Sequence, residues 1–166
     1  CAEYAVHHIS DKLNINPHNN KFIAGTSSTG SAIAVSCGAL PVAIGTQTAG
    51  SIIRPASFCG VYGFKPTFGS IDRTGILKNN DLFDTVGIIS SEIKFIESVF
   101  KNILNNSKDF PWNKKYQFSL DKFKNKKKLK IGYFDDSLQI LNNSTPNIKE
   151  FYQKILKDLE INLKLN

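Results

Sequence analysis

The sequence predicts an α/β fold, because segments typical of strands alternate with segments typical of helices. Short apolar runs are followed by stretches whose apolar residues recur at helical spacing, and glycine or proline residues separate them. At 166 residues and 41% hydrophobic content, the chain can form a sizeable core in one domain or in part of one. We therefore expect a sheet flanked by helices.

The first predicted elements follow one another closely. Gly30 to Gly38 forms a short helix that stops at Gly38, and Pro41 to Ile44 forms a buried strand. This strand leads into a glycine-rich loop from Gly45 to Gly50. Pro55 to Cys59 then forms one helical turn, and Val61 to Phe64 forms another strand.

The later elements are separated by a polar stretch. Ser91 to Leu104 is an amphipathic helix that Ser90 or Ser91 can cap. Leu129 to Phe134 forms a strand, and Thr145 caps a last helix that Pro146 opens and that reaches about Leu163. We expect residues 1–104 to form a core, 105–128 a Lys- and Asn-rich connection, and 129–166 a strand and helix of the same domain.

Two glycine-rich segments, residues 25–31 and 45–51, carry Ser27 and Ser51, which stand 24 residues apart. Glycine beside a hydroxyl lets backbone N–H groups approach a reacting oxygen without a Cβ in the way. A surface linker can have the same composition. However, the apolar and proline-containing run from Ile52 to Gly60 is not typical of a flexible linker. The pattern therefore predicts a catalytic serine site.

The net charge of +7 comes from one end of the chain. Residues 1–100 carry seven Lys or Arg and seven Asp or Glu, whereas the last 66 residues carry 14 lysines and seven acids. Only two arginines occur, and arginine is favoured for bidentate phosphate contacts. The lysine-rich tract at residues 122–130 is thus better interpreted as a solvated loop than as a nucleic-acid site.

Other function classes are not favoured by the composition. No run of 18 apolar residues indicates a membrane span. Three cysteines at irregular spacing argue against a disulfide framework and for a reducing compartment, so we expect a cytoplasmic protein. None of His7, His8 and His18 has metal-ligand spacing to a second ligand. We expect no metal and no cofactor.

Longer motifs follow in a fixed order. They are Gly45-Thr46-Gln47-Thr48-Ala49-Gly50-Ser51-Ile52-Ile53-Arg54-Pro55, Phe58-Cys59-Gly60-Val61, Gly63-Phe64-Lys65-Pro66-Thr67-Phe68-Gly69 and Asp84-Thr85-Val86-Gly87. With these motifs, the stretch from Gly25 to Gly87 resembles the amidase signature family of serine hydrolases. The resemblance implies an α/β fold with a mixed sheet flanked by helices, of which this chain would be part.

The resemblance also implies a triad of Ser, cis-Ser and Lys. Ser51 takes the position of the nucleophile, and Ser27 that of the bridging serine, which follows a cis peptide bond in the family. Backbone N–H groups from Thr48 to Ser51, including those of Ala49 and Gly50, would form the oxyanion hole. The implied chemistry is cleavage of a linear, non-peptide amide through an acyl-enzyme, with a neutral lysine as the final base.

Further residues match positions that support this site in the family. Ser28 and Ser31 carry hydroxyls that would support the proton relay, although Ser31 could instead open the helix. Arg54 is expected to pin the nucleophile loop through hydrogen bonds to carbonyl groups. Asp84 is expected to be structural rather than catalytic.

The family's lysine has no match in the chain. Only 26 residues precede Ser27, and Lys12 and Lys21 within them are too close in sequence. Lys21 also lies in a loop-like segment, where a solvated charge is the better interpretation. We therefore expect a fragment that lacks the N-terminal part with the lysine and is inactive by itself.

Departures from the family pattern guide the choice of function. Thr26, Thr29 and Ala49 replace small residues common in the family, and Gln47 replaces the aspartate of tRNA amidotransferase A subunits. This pattern favours a stand-alone amidase that converts a carboxylic amide to an acid and ammonia or an amine. The alternatives are the A subunit of a glutamyl/aspartyl-tRNA amidotransferase and a truncated, non-catalytic binding or scaffold relative. The expected partner is a small-molecule amide, and a homo-oligomer stays open.

Overall fold

The computed structural model describes residues 15–104 and 144–163 of the chain. These residues belong to two units, Cys1–Tyr116 and Gln117–Asn166. Strands and helices are both present in the first unit, and the predicted α/β class is confirmed.

The strands described in the first unit form one antiparallel sheet. They are β1 (Val42–Gln47), β2 (Tyr62–Phe64) and β3 (Thr85–Ser90), in the spatial order β1-β3-β2. Every residue of the central strand β3 is buried, as expected for a run of β-branched residues with neighbours on both edges. Gly87 is required there, because a Cβ would clash with the carbonyl of Phe64 and with the side chain of Ile52.

Two strand predictions need correction. β1 continues three residues past Ile44, so half of the predicted loop from Gly45 to Gly50 is strand. The expectation that Pro41 to Ile44 is buried is also wrong, since Ile44 is 46% exposed. Among the described strands β1 has one neighbour, so it lies at an edge of the sheet rather than in its middle. β3 itself was not predicted as a strand, because its glycine interrupts a short apolar run.

Three helices accompany this sheet: α1 (Thr29–Ser36), α2 (Ile53–Phe58) and α3 (Ile93–Ile103). The predicted stop of α1 is confirmed. Gly38 has φ +73° and its N–H donates to the carbonyl of Val35. The predicted cap of α3 is wrong, because Ser90 and Ser91 both donate their hydroxyls to the carbonyl of Pro41 instead.

The core lies where α1 and α2 meet the sheet. Its buried residues are Ala24, Ala32, Val35, Ile52, Ala56, Cys59 and Ile89. Cys59 is buried as expected, and its burial, followed by the proximity of Cys37, raises the pKa of its thiol. In a separate contact, the ring of Phe100 in α3 packs edge to face against the ring of Phe64 in β2, with centroids 5.1 Å apart.

The second unit contains the predicted last helix, α4 (Pro146–Leu163). The carbonyl of Thr145 accepts the N–H groups of Ile148 and Lys149, so the helix begins where proline was expected to open it. The predicted connection at 105–128 and strand at 129–134 lie outside the described residues. None of the helices in the described ranges combines the length and apolar character that crossing a membrane requires.

Candidate active site

Ser27 and Ser51 line the same small cleft of the first unit, which opens to solvent. The cleft lies where β1 ends and β3 begins, since Gln47 pairs with Thr85. Its lining residues are Ser27, Thr46, Thr48, Ser51, Arg73, Ile76, Leu77, Asn79, Asp84, Thr85 and Val86. The structure therefore brings together the two serines that the sequence singled out.

Ser51 is held in place by the residues that follow it. It is 3% exposed, and the next residue, Ile52, is completely buried in the core. The N–H of Arg54 donates to the carbonyl of Gly50 at 2.9 Å, which starts the turn into α2. The position of the Ser51 hydroxyl thus depends on packing of the core directly beneath it.

A main-chain hydrogen bond joins the two serine segments. The N–H of Ser28 donates to the carbonyl of Ser51 at 3.1 Å. The peptide bond between Thr26 and Ser27 is cis, as the resemblance implies. Gly25 has φ +78°, and a Cβ there would lie 2.7 Å from the Cα of Pro55, so only glycine fits this close approach.

Ser28 and Ser31 attach the first serine segment to strand β1. The Ser28 hydroxyl donates to the carbonyl of Thr46 and accepts its N–H, both at 3.2 Å. The Ser31 hydroxyl donates to the carbonyl of Ile44 at 2.8 Å. Their observed contacts are therefore with the strand that leads to Ser51, and they fix the distance between the two segments.

Arg54 contacts both serine segments. Its guanidinium donates to the Thr26 hydroxyl at 3.2 Å, and it lies against Gly50, where a Cβ would be 3.0 Å from Nη2. The Thr26 hydroxyl is thus one acceptor of the Arg54 guanidinium, which joins the first serine segment to the loop that carries Ser51.

Gln47 makes contacts that the sequence did not reveal. It is 6% exposed, and its Nε2 donates to the carbonyl of Ala49 at 2.7 Å. Its Oε1 accepts the N–H groups of Ile52 at 2.8 Å and Ile53 at 3.0 Å. One side chain thus connects both ends of the loop that carries Ser51.

Asp84 orders a different part of the cleft. Its carboxylate accepts the Thr48 hydroxyl at 2.5 Å and the N–H groups of Asn79 and Asn80 at 2.6 and 2.7 Å. Burial raises the pKa of this carboxyl, but the hydrogen bonds from Thr48, Asn80 and Asn79 and the charge of Arg73 outweigh it. The pKa therefore lies below its usual value, and Asp84 stays ionised near neutral pH.

Arg73 lines the cleft, and the sequence did not indicate it. It is 8% exposed, and its guanidinium donates to the carbonyls of Asp81 and Asp84, both at 3.1 Å. The guanidinium also lies 4.8 Å from the centre of the Phe68 ring. These contacts join Arg73 to residues 5, 8 and 11 positions away, and two of them are made to main-chain carbonyls, so no side-chain pattern in the sequence indicates them.

Only some of the expected oxyanion-hole residues line the cleft. Thr48 and Ser51 line the cleft, whereas Ala49 and Gly50 are not among its lining residues. Ala49 is exposed and Gly50 half-buried. Lys21 is exposed, Lys12 lies outside the described residues, and the described lining of the cleft includes no lysine.

No group of three or more His, Cys, Asp or Glu side chains that could hold a metal occurs within 15–104 and 144–163. His18, which lies outside the cleft lining, contacts the carbonyl of Cys59 at 2.8 Å through Nε2. That contact joins the segment before the first serine to the end of α2.

The Amidase family model matches residues 12–162 of the chain. The chain is 33% identical over 157 residues to the A subunit of the glutamyl-tRNA(Gln) amidotransferase from Campylobacter curvus, covering 88% of this chain and 35% of that protein. It is 44% identical over 94 residues to the A subunit of the mitochondrial glutamyl-tRNA(Gln) amidotransferase from Candida albicans, covering 57% and 21%.

Solved structures give the same relationship. The peptide amidase from Stenotrophomonas maltophilia is similar with a TM-score of 0.55 and 37% identity, over 59% of this chain and 20% of that one. The chain spans between about a fifth and about a third of the length of these relatives.

Proposed function

This chain belongs to the Amidase family, and we propose that its protein hydrolyses a carboxylic amide to an acid and ammonia or an amine, with Ser51 as nucleophile. The observation that carries the proposal is the common cleft of Ser27 and Ser51, whose segments are joined by the Ser28 N–H to Ser51 carbonyl bond. A buried hydroxyl on a fixed loop, in the same cleft as a second hydroxyl, suits nucleophilic catalysis by relay.

The proposed reaction has two halves. Ser51 Oγ attacks the amide carbonyl carbon while its proton passes to Ser27 and from there to a neutral lysine, which is not among the described residues that line the cleft. The C–N bond then breaks, the leaving nitrogen takes a proton from the same relay, and the acyl group stays on Ser51. Water attacks this ester, which releases the acid and restores the serine.

The charge that develops on the carbonyl oxygen needs donors. We assign this role to main-chain N–H groups of Thr48, Ala49, Gly50 and Ser51, because they lie in the loop immediately before the nucleophile. Gln47 and Arg54 contact this loop directly, and such a fixed loop would present donors without reorganising during the reaction.

Replacement of the nucleophile tests the proposal. In the full-length protein, we expect Ser51→Ala to lower kcat/KM for amide hydrolysis by about 10⁴-fold or more, because no oxygen remains to form the acyl-enzyme. A fluorophosphonate probe should label the parent protein on Ser51 and leave the variant unlabelled, as mass spectrometry of the peptides can show.

Ser57 provides the matched control. It is an exposed serine of α2 close to Ser51 in sequence, and Ser57→Ala should keep full activity and labelling. A parent protein that folds but is labelled elsewhere, or not at all, would contradict the proposal and favour the non-catalytic relative.

A second candidate function is the A subunit of a tRNA-dependent amidotransferase. It is favoured by curated relatives that carry this name, in Campylobacter curvus and in Candida albicans. For this candidate, the same Ser51 chemistry would release ammonia from a small amide for transfer to aminoacyl-tRNA within a complex of several subunits. Amide hydrolysis that rises when partner subunits and charged tRNA are added would favour it over a stand-alone amidase.

We also propose a reducing, cytoplasmic location. The support is the small and odd number of cysteines in the sequence and the free thiols of Cys37 and Cys59 in the described part of the chain.

A further inference from the structure

Gln47 lies directly behind the loop that carries Ser51. It is the last residue of β1, and its side chain is 6% exposed. Its side-chain amide makes hydrogen bonds before and after Ser51 in the chain. Nε2 donates to the carbonyl of Ala49, and Oε1 accepts the N–H groups of Ile52 and Ile53. The three contacts therefore bracket Gly50 and Ser51.

The contact with Ala49 determines the direction of the next N–H group. A trans peptide unit is planar, and its C=O and N–H bonds point in opposite directions. The Ala49 carbonyl shares a peptide plane with the Gly50 N–H. Because Gln47 Nε2 holds that carbonyl at 2.7 Å, the Gly50 N–H must point away from Gln47.

The contacts with Ile52 and Ile53 fix the other side of Ser51. These are the first N–H groups of α2, which have no partner inside the helix. The Oε1 of Gln47 accepts both of them and takes the place of a cap, since Ile52 at the N-cap position has no side-chain acceptor. Ser51 is thus held between two peptide groups attached to one side chain.

We propose that Gln47 is a positioning residue that fixes the peptide groups on both sides of Ser51, the Gly50 N–H among them, and so holds Ser51 in its attacking position. This inference rests on the proposed function. In this chain the side-chain amide donates at one end and accepts at the other, and it places no negative charge beside the loop where an oxyanion would form.

Gln47→Glu tests the role of the Gln47 donor in the full-length protein. The carboxylate has the same length and still accepts from Ile52 and Ile53, but it cannot donate to the Ala49 carbonyl and repels it. We expect kcat to fall by about tenfold to hundredfold while KM changes less than about threefold, because an oxyanion donor acts in the transition state. Fluorophosphonate labelling of Ser51 should slow by a similar factor.

The rate should be expressed per labelled Ser51 at saturation, so that loss of folded protein does not count as loss of catalysis. Gln153→Glu, at an exposed glutamine of α4, is the control for adding a carboxylate and should behave as the parent protein. If Gln47→Glu does not fold, Gln47→Met tests the loss of donor and acceptor together, since methionine is unbranched, uncharged and has neither the amide N–H nor the amide oxygen.

The outcomes separate this inference from the proposed function. Full kcat per labelled site in a folded Gln47 variant would overturn the positioning role alone. Failure of both variants to fold would show that Gln47 is needed for folding, and this result would also overturn the positioning role. Retained activity in Ser51→Ala would instead overturn the proposed function.

Discussion

Apart from Thr85 and Val86 of β3, two sets of residues line the cleft, and they are held by different means. The serine side consists of Ser27, Thr46, Thr48 and Ser51 and is fixed by the buried core and by many hydrogen bonds that involve main-chain groups. The turn side consists of Arg73, Ile76, Leu77, Asn79 and Asp84 and is fixed by two charged side chains. Reactive groups thus lie where the backbone is constrained, and exposed apolar groups lie where it is held at a few points.

The largest expected effect is on the serine side. Gly25→Ala places a Cβ 2.7 Å from the Cα of Pro55 at a position with φ +78°. We expect unfolding free energy to fall by about 2–4 kcal/mol, from left-handed backbone strain and overpacking together. Chemical denaturation of the parent and variant proteins measures the difference.

Gly30→Ala is the matched control for that substitution. Nothing lies within 4 Å of a Cβ at Gly30, and the residue is helical, so alanine should stabilise the protein slightly. Equal changes in unfolding free energy for Gly25→Ala and Gly30→Ala would show that the backbone at Gly25 is not constrained as described.

The second effect concerns the turn side. Asp84→Asn removes the charge that accepts the Thr48 hydroxyl and the N–H groups of Asn79 and Asn80. We expect a loss of about 2 kcal/mol in unfolding free energy, the range for hydrogen bonds to a charged group. Asp81→Asn is the control, since its ion pair with Lys78 is exposed and contributes little.

The effect of Asp84→Asn should depend on pH. The folded state lowers the pKa of Asp84, so the stabilisation is complete above the unfolded pKa of about 4 and is lost as the pH falls through the lower folded value. Denaturation midpoints of parent and variant should therefore converge in acid. A constant difference down to low pH would mean that the lost stability does not come from the charge.

The smallest effect on stability is expected at Leu77, which lines the cleft although it is 79% exposed. Leu77→Ala should change unfolding free energy by less than about 0.5 kcal/mol. If the turn side contacts substrate, KM should rise about twofold to tenfold with kcat nearly unchanged. Leu82→Ala, at another exposed leucine but outside the lining, should leave KM as it is. If both variants have the same KM, Leu77 does not contribute to substrate binding.

The sequence predicted local features well and long-range ones poorly. The stop of α1 at Gly38 and the start of α4 at Pro146 depend on single residues with distinctive backbone preferences, and both were predicted. The caps at Ser90 and Ser91 were not correct, because a tertiary acceptor at Pro41 competes for their hydroxyls.

The candidate site shows the same division. The glycine-rich surroundings of Ser27 and Ser51 are visible in the sequence, and both serines line the cleft. The contact between Thr48 and Asp84 joins residues 36 apart, and Gln47 acts through backbone atoms that no side-chain pattern marks. The Thr48–Asp84 contact forms only once β1 and β3 are paired, whereas the Gln47 contacts are local but follow no pattern that the sequence shows.

Burial of Ile52 immediately after Ser51 has a practical consequence for engineering this protein. Exchange of side chains that pack against Ile52 is expected to shift the Ser51 hydroxyl. If the protein hydrolyses amides as proposed, redesigning the interior to raise heat tolerance would therefore alter turnover, whereas Leu77 lies outside the interior. On the same condition, directed evolution toward new amides is best started at Leu77.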